Sequence, residues 1–136
     1  MAIAEFIVSG TPISTQASPR SKSRWKADVS AAASAALTDE HALVADLVRV
    51  TIVYFYVSTD LDLDNIIKPI VDALNEVVYI DDSQVVNISA AKRDLSGTFT
   101  LTGASPAIIE QLAATADEPR DFVFVAVELV NMSTLL

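Results

Sequence analysis

The chain has 136 residues, enough for one domain and too few for two independent cores, and 51% of them are hydrophobic, which supplies a full core and argues against disorder. No cysteine is present, so disulfide frameworks, thiolate zinc sites and cysteine nucleophiles are excluded, and the composition suits a reducing compartment. A net charge of −9 by itself argues against nucleic acid as a partner, because binding phosphates calls for a basic face.

The elements follow in chain order. Residues 3–8 (IAEFIV) predict a first strand, closed by the Gly10-Thr11-Pro12 turn signal. Residues 11–21 are a polar loop, and residues 22–37 turn helical, with Trp25, Val29, Ala32 or Ala33, and Ala36 at helical spacing. Residues 47–57 (LVRVTIVYFYV) are the clearest strand, apolar on both faces toward the end and therefore expected to be central. A second helix is expected over 65–78, with Ile66, Ile70, Ala73, Leu74 and Val77 on one side and Asp64, Lys68, Asp72 and Asn75 on the other. Pro69 is tolerable only in a first turn, which favours a later helix start. Residues 79–83 predict a turn, and 84–92 a strand with Val86, Ile88 and Ala90 facing one way and Asn87 and Ser89 the other. A short strand at 98–101, a helix from the Ser105-Pro106 cap to Ala116, a polar link at 117–121 and a strand at 122–130 complete an α/β (α+β) single domain with a mixed sheet. The first ten residues lack the basic-then-apolar order of a secretory signal, and no apolar run approaches the roughly 20 residues of a membrane helix, so a cytoplasmic protein is expected.

Charge is unevenly distributed. Residues 60–82 hold seven acids and one base, Lys68, whereas residues 20–26 hold four bases (Arg20, Lys22, Arg24, Lys26) and no acid. Those bases open a helix, where the macrodipole opposes them, which hints at a role outside the helix; a solvated helix start is the plainer alternative. Asp62 and Asp64, two residues apart at a strand end, point the same way and can converge on a hard cation such as Mg²⁺, joined by the Asp81-Asp82 pair. Lys68 lies one turn beyond Asp64 on the same helix face, able to pair with an acid or to touch a phosphate. Each piece also has a plain reading, with Asp64 an ordinary cap and Asp81-Asp82-Ser83 only a turn. An EF-hand fails because its sixth and twelfth positions are Asn65 and Val71. A phosphate-cradling glycine loop is absent, and the lone His41, beside Asp39 and Glu40, offers no hydrolase triad. Trp25 at helical spacing with Val29 is expected in the core rather than as a base-stacking platform.

The stretch Asp62-Leu63-Asp64-Asn65, Lys68, Asp72-Ala73-Leu74 and Asp81-Asp82-Ser83-Gln84-Val85 closely resembles the core motif of the RusA-type Holliday junction resolvases. Residues 6–14 are similar to that family's first strand and the G-x-P-x-S loop after it. The resemblance implies a homodimer that binds four-way junctions and cuts paired strands with Mg²⁺ in recombination or repair. It places the catalytic carboxylates and metal ligands at Asp62, Asp64 and Asp82 and the essential lysine at Lys68, with Asp72 supporting Lys68 or the helix. DNA contacts are expected at Arg20, Lys22, Arg24 and Lys26, joined by Lys92 and Arg93. The acidic balance keeps a second function in view, a catalytically idle relative that binds a cation or a protein.

Overall fold

The computed structural model describes residues 2–37, 43–58, 61–97 and 103–130. Its elements are β1 (Ala2–Ser9), α1 (Pro19–Ala36), β2 (Val48–Tyr56), α2 (Leu63–Ala73), a 3₁₀ turn (Asp82–Gln84), β3 (Val85–Asp94), α3 (Pro106–Ala114) and β4 (Phe122–Leu129). The expected order and the single α+β domain are both found. The expected strand at 98–101 and the loop residue His41 lie outside the described residues.

One mixed sheet runs β1-β4-β2-β3. β4 pairs antiparallel with both β1 and β2, and β3 pairs parallel with β2 through α2. Both central strands are apolar on two faces because each face is covered. Val48, Val50, Ile52 and Tyr54 of β2, with Val123, Val125 and Val127 of β4, pack in the main core with Trp25 and Val29 of α1 and Ile66 and Ile70 of α2. Phe55, Phe122 and Phe124 face the other way, in a smaller core with Ile108 of α3. Trp25 is 4% exposed and belongs to the core, as its spacing predicts.

Several boundaries differ from expectation for identifiable reasons. α1 starts at Pro19 rather than at 22 because Ser18 caps it, its hydroxyl accepting from Ser21 N–H, with Pro19 opening the first turn. α2 starts earlier than expected, at Leu63, and stops at Ala73, so Pro69 lies well inside the helix. Tyr79, expected in a turn, is fully buried, and its hydroxyl donates to the Val71 carbonyl at 2.6 Å, which ties the segment after α2 to the helix. β3 is an edge strand whose faces alternate as expected, with Val86 and Ile88 of its outward face 43% and 45% exposed.

Residues 117–121, expected to be only a polar link, contain an anchor. The Asp121 carboxylate accepts from Tyr54 Oη at 2.8 Å, Thr11 Oγ1 at 2.9 Å and Val57 N–H at 2.8 Å. Its carbonyl accepts from Gly10 N–H at 2.9 Å, and Gly10 takes φ +109°, where a side chain would be strained. The ends of β1, β2 and β4 are thereby tied together at the point where the chain leaves the sheet for α2.

Candidate active site along helix α2

The acidic motif is strung along α2. Asp62 is its N-cap, in extended conformation (φ −67°, ψ 134°), yet its side chain makes no capping hydrogen bond. A carboxylate at the position where aspartate ordinarily bonds the helix backbone is here uncommitted. Asp64 follows in the first turn, exposed, where the helix dipole favours an anion.

Pro69 carries no N–H for the Asn65 carbonyl four residues back. That carbonyl instead accepts from Thr15 N–H at 2.8 Å, and Asn65 Oδ1 accepts from Thr15 Oγ1 at 3.0 Å. The loop after β1 is thus fastened to the active helix where proline opens a gap in its bonding. Thr15→Ala and Asn65→Ala are each expected to cost about 1 kcal/mol of stability. Chemical denaturation should find the double variant no more than a few tenths of a kcal/mol worse than either single one, because they share one bond; simple additivity would show that the bond is not made.

One turn beyond Asp64, Lys68 is exposed, with its ammonium 3.3 Å from Asp72 Oδ2, and Lys26 of α1 reaches the same oxygen at 3.8 Å. The expected support of Lys68 by Asp72 is present. Lys22 Nζ donates to Thr15 O at 3.1 Å. Lys22, Lys26, Lys68 and Asp72 line one cleft of about 430 Å³ between α1 and α2. Arg24 lines a separate, smaller groove with Trp25 and Asp28, and Arg20 is exposed to solvent. Lys92 lies 5.9 Å from the Tyr56 ring centroid and Arg93 donates to the Lys92 carbonyl, both near the end of β3.

The Asp81-Asp82 pair divides its labour. Asp81 caps the 3₁₀ turn, its carboxylate accepting from Ser83 N–H at 3.0 Å, and hydrogen bonding from the Ser83 side chain, then from its backbone, lowers its pKa from the ordinary value. Asp82, half-buried, is left with its carboxylate outside the cap. Gln84 pins the turn: Oε1 accepts from Ile80 and Asp81 N–H, while Nε2 donates to the carbonyls of Val44 and Asp46. Burial, then the charges of Asp82, Asp72 and Asp81, push the Tyr79 phenol far above its usual value, so it stays protonated.

The structure therefore does not gather Asp62, Asp64 and Asp82 in one chain. Val85 pairs with Val48 at the start of β2, so the 3₁₀ turn sits beyond the C-terminal end of α2, whereas Asp62 and Asp64 sit at its N-terminal end. Eleven residues of helix span about 16 Å. Among the described residues, no group of three or more acidic or histidine side chains lies close enough to hold a metal ion. What one chain does assemble is an acid pair at one end of α2, a lysine cluster at its middle and Asp82 past its other end.

Residues 9–98 match the family model of endodeoxyribonuclease RusA. The match spans well over half of the chain and contains every element of the site, so this chain belongs to the RusA endodeoxyribonuclease family, which acts on branched DNA junctions. No curated protein matches the chain. Among the described residues no helix is long and apolar enough to cross a membrane.

Proposed function

We propose that the chain is a homodimeric, Mg²⁺-dependent endonuclease that resolves four-way junctions in cytoplasmic recombination or repair, with Asp62, Asp64, Asp82 and Lys68 as its active site. The observation that carries this reading is the uncommitted carboxylate of Asp62 at the α2 cap, beside Asp64 and one turn before Lys68. An all-carboxylate donor set suits a hard cation, and Mg²⁺ needs only one or two protein carboxylates beside water and substrate phosphate. Bound there, Mg²⁺ supplies Lewis-acid polarisation of the phosphoryl oxygens. Lys68, with its side chain 70% exposed, is free to leave Asp72 and neutralise charge growing on the non-bridging oxygens.

Separation of Asp82 from the acid pair supports a shared site in which Asp82 of the partner subunit completes each Asp62–Asp64 pair. Support comes from its surroundings, because Ile80, Val86 and Ile88 beside it are 52%, 43% and 45% exposed, an apolar patch suited to cover by a second copy. Two-fold symmetry then matches two sites to two symmetric strands. The start of α1, with Arg20, Lys22, Arg24 and Lys26, faces the DNA.

Incubating the protein with labelled four-way junction, linear duplex and single strand, in Mg²⁺ or EDTA, tests this. Paired junction nicks that need Mg²⁺ and fall at least about 10²-fold in Asp62→Asn are expected. Nicking untouched by Asp62→Asn would remove the site assignment. The same separation of Asp82, with the chain's net charge of −9, favours a second reading, a catalytically idle relative that binds a cation or a protein. No cutting, with no junction binding at low salt, would select it.

A further inference from the structure

We infer that the cleft between α1 and α2 is a seat for backbone phosphates of the strand being cut, beside the scissile bond, with Lys22 and Lys26 as its dedicated contacts. The inference rests on the nuclease reading above and assigns the place where an acidic protein grips DNA.

Three ammonium groups and one carboxylate meet in this cleft, a local excess of two positive charges in a chain of net −9. Asp72 offsets the repulsion between the lysines, since both Lys26 and Lys68 reach its Oδ2. Such exposed pairs are worth only about 0–1 kcal/mol, so a phosphate can displace them cheaply. Lys22 is held at the rim by its bond to the Thr15 carbonyl.

The basic residues of 20–26 are thereby divided. Lys22 and Lys26 are one turn apart and point at α2, whereas Arg24 lines another groove. Neighbouring turns of a helix surface are about 6 Å apart, so Lys68 lies one step from Asp64 and Asp72 another step on. An anion between Lys26 and Lys68 therefore falls about one helix turn from one held at Asp62 and Asp64, a step comparable to that between neighbouring phosphates of one strand. The site is a set of point charges on flexible stems in an open cleft, which suits a sequence-independent phosphate track rather than a bidentate carboxylate fork.

The test is anisotropy of a fluorescent four-way junction titrated from about 50 to 200 mM salt, in an Asp62→Asn background that prevents cutting. Lys22→Gln with Lys26→Gln is compared with Arg49→Gln and Arg120→Gln, an equal charge change at exposed positions outside the cleft. The lysine pair should weaken binding at low salt by about 10-fold or more and flatten log K against log salt by about 1.8, while the arginine pair leaves the slope in place. Lys22→Arg with Lys26→Arg should keep the slope, which separates lost charge from lost fold. Equal effects of the two neutralised pairs, an unchanged slope in the lysine pair, or no junction binding by the parent would each overturn the seat. Cutting by the unaltered chain is scored separately. A chain that cuts while the lysine pair leaves the slope unchanged loses the seat and keeps the nuclease reading; one that binds through the lysines but never cuts does the reverse.

Discussion

Mixing two inactive variants, Asp62→Asn and Asp82→Asn, is expected to restore nicking of a four-way junction. Each variant alone should cut at least about 10²-fold more slowly than the parent, since each lacks a carboxylate in every site. In a mixed dimer the two lesions fall together. One composite site loses both carboxylates, and the other draws Asp62 and Asp64 from one subunit and an intact Asp82 from the other. With free subunit exchange about half of the dimers are mixed and each carries one good site, so about a quarter of the parent's sites return. A gel would show single nicks rather than paired cuts, because the second strand meets a dead site. If each chain instead builds its site alone, every chain in the mixture is defective, and the mixture stays as inactive as its components. That outcome would sink the shared site and require the 3₁₀ turn to move across the length of α2.

Gln84→Glu is expected to lower stability by about 3 kcal/mol, seen as a fall of about 10 °C in Tm. The change is nearly isosteric, so packing is hardly touched. The glutamate still accepts from Ile80 and Asp81 N–H, but it replaces the amide that donates at 2.8 Å to both Val44 O and Asp46 O. Two attractions become repulsions between oxygens, and the connection into β2 loses its hold on the turn that presents Asp82. Gln84→Ala removes all four bonds without the repulsion and should cost about 2 kcal/mol. A glutamate variant as stable as the parent would show that these bonds contribute nothing net. Junction cutting should fall with the turn in both variants even at temperatures where the fold is intact.

Much of this was legible in the letters. The β-branched run before Asp60, the Ser105-Pro106 cap and the helical spacing of Trp25 each depend on local chemistry, and each lies where expected. The choice of Asp82 over Asp81 has a physical counterpart, because Asp81 is occupied as a cap. The misses have long-range causes. Pro69 suggests a late helix start only until Thr15, 50 residues upstream in sequence from Asn65, is known to satisfy the orphaned carbonyl. Asp121 reads as a link residue because its partners at Thr11, Tyr54 and Val57 come from two other strand ends. Spacing alone brings Asp82 near Asp62, and only the parallel pairing of β3 with β2 carries it to the far end of α2. The Ser18-Pro19 start of α1 obeys the same rule that marks Ser105-Pro106, but the polar loop around it masks the signal.

β4 lies between β1 and β2, and neither of those strands pairs with the other. On a ribosome this orders assembly: β1, α1, β2, α2 and β3 all emerge while the slot between β1 and β2 is still open. The β2–α2–β3 unit can form early, but the sheet closes only when residues 122–129 arrive. The stretch that carries the whole family signature, 9–98, thus waits on a strand it does not contain, and a nascent chain halted before β4 would expose Val50, Ile52 and Tyr54 to solvent and to chaperones.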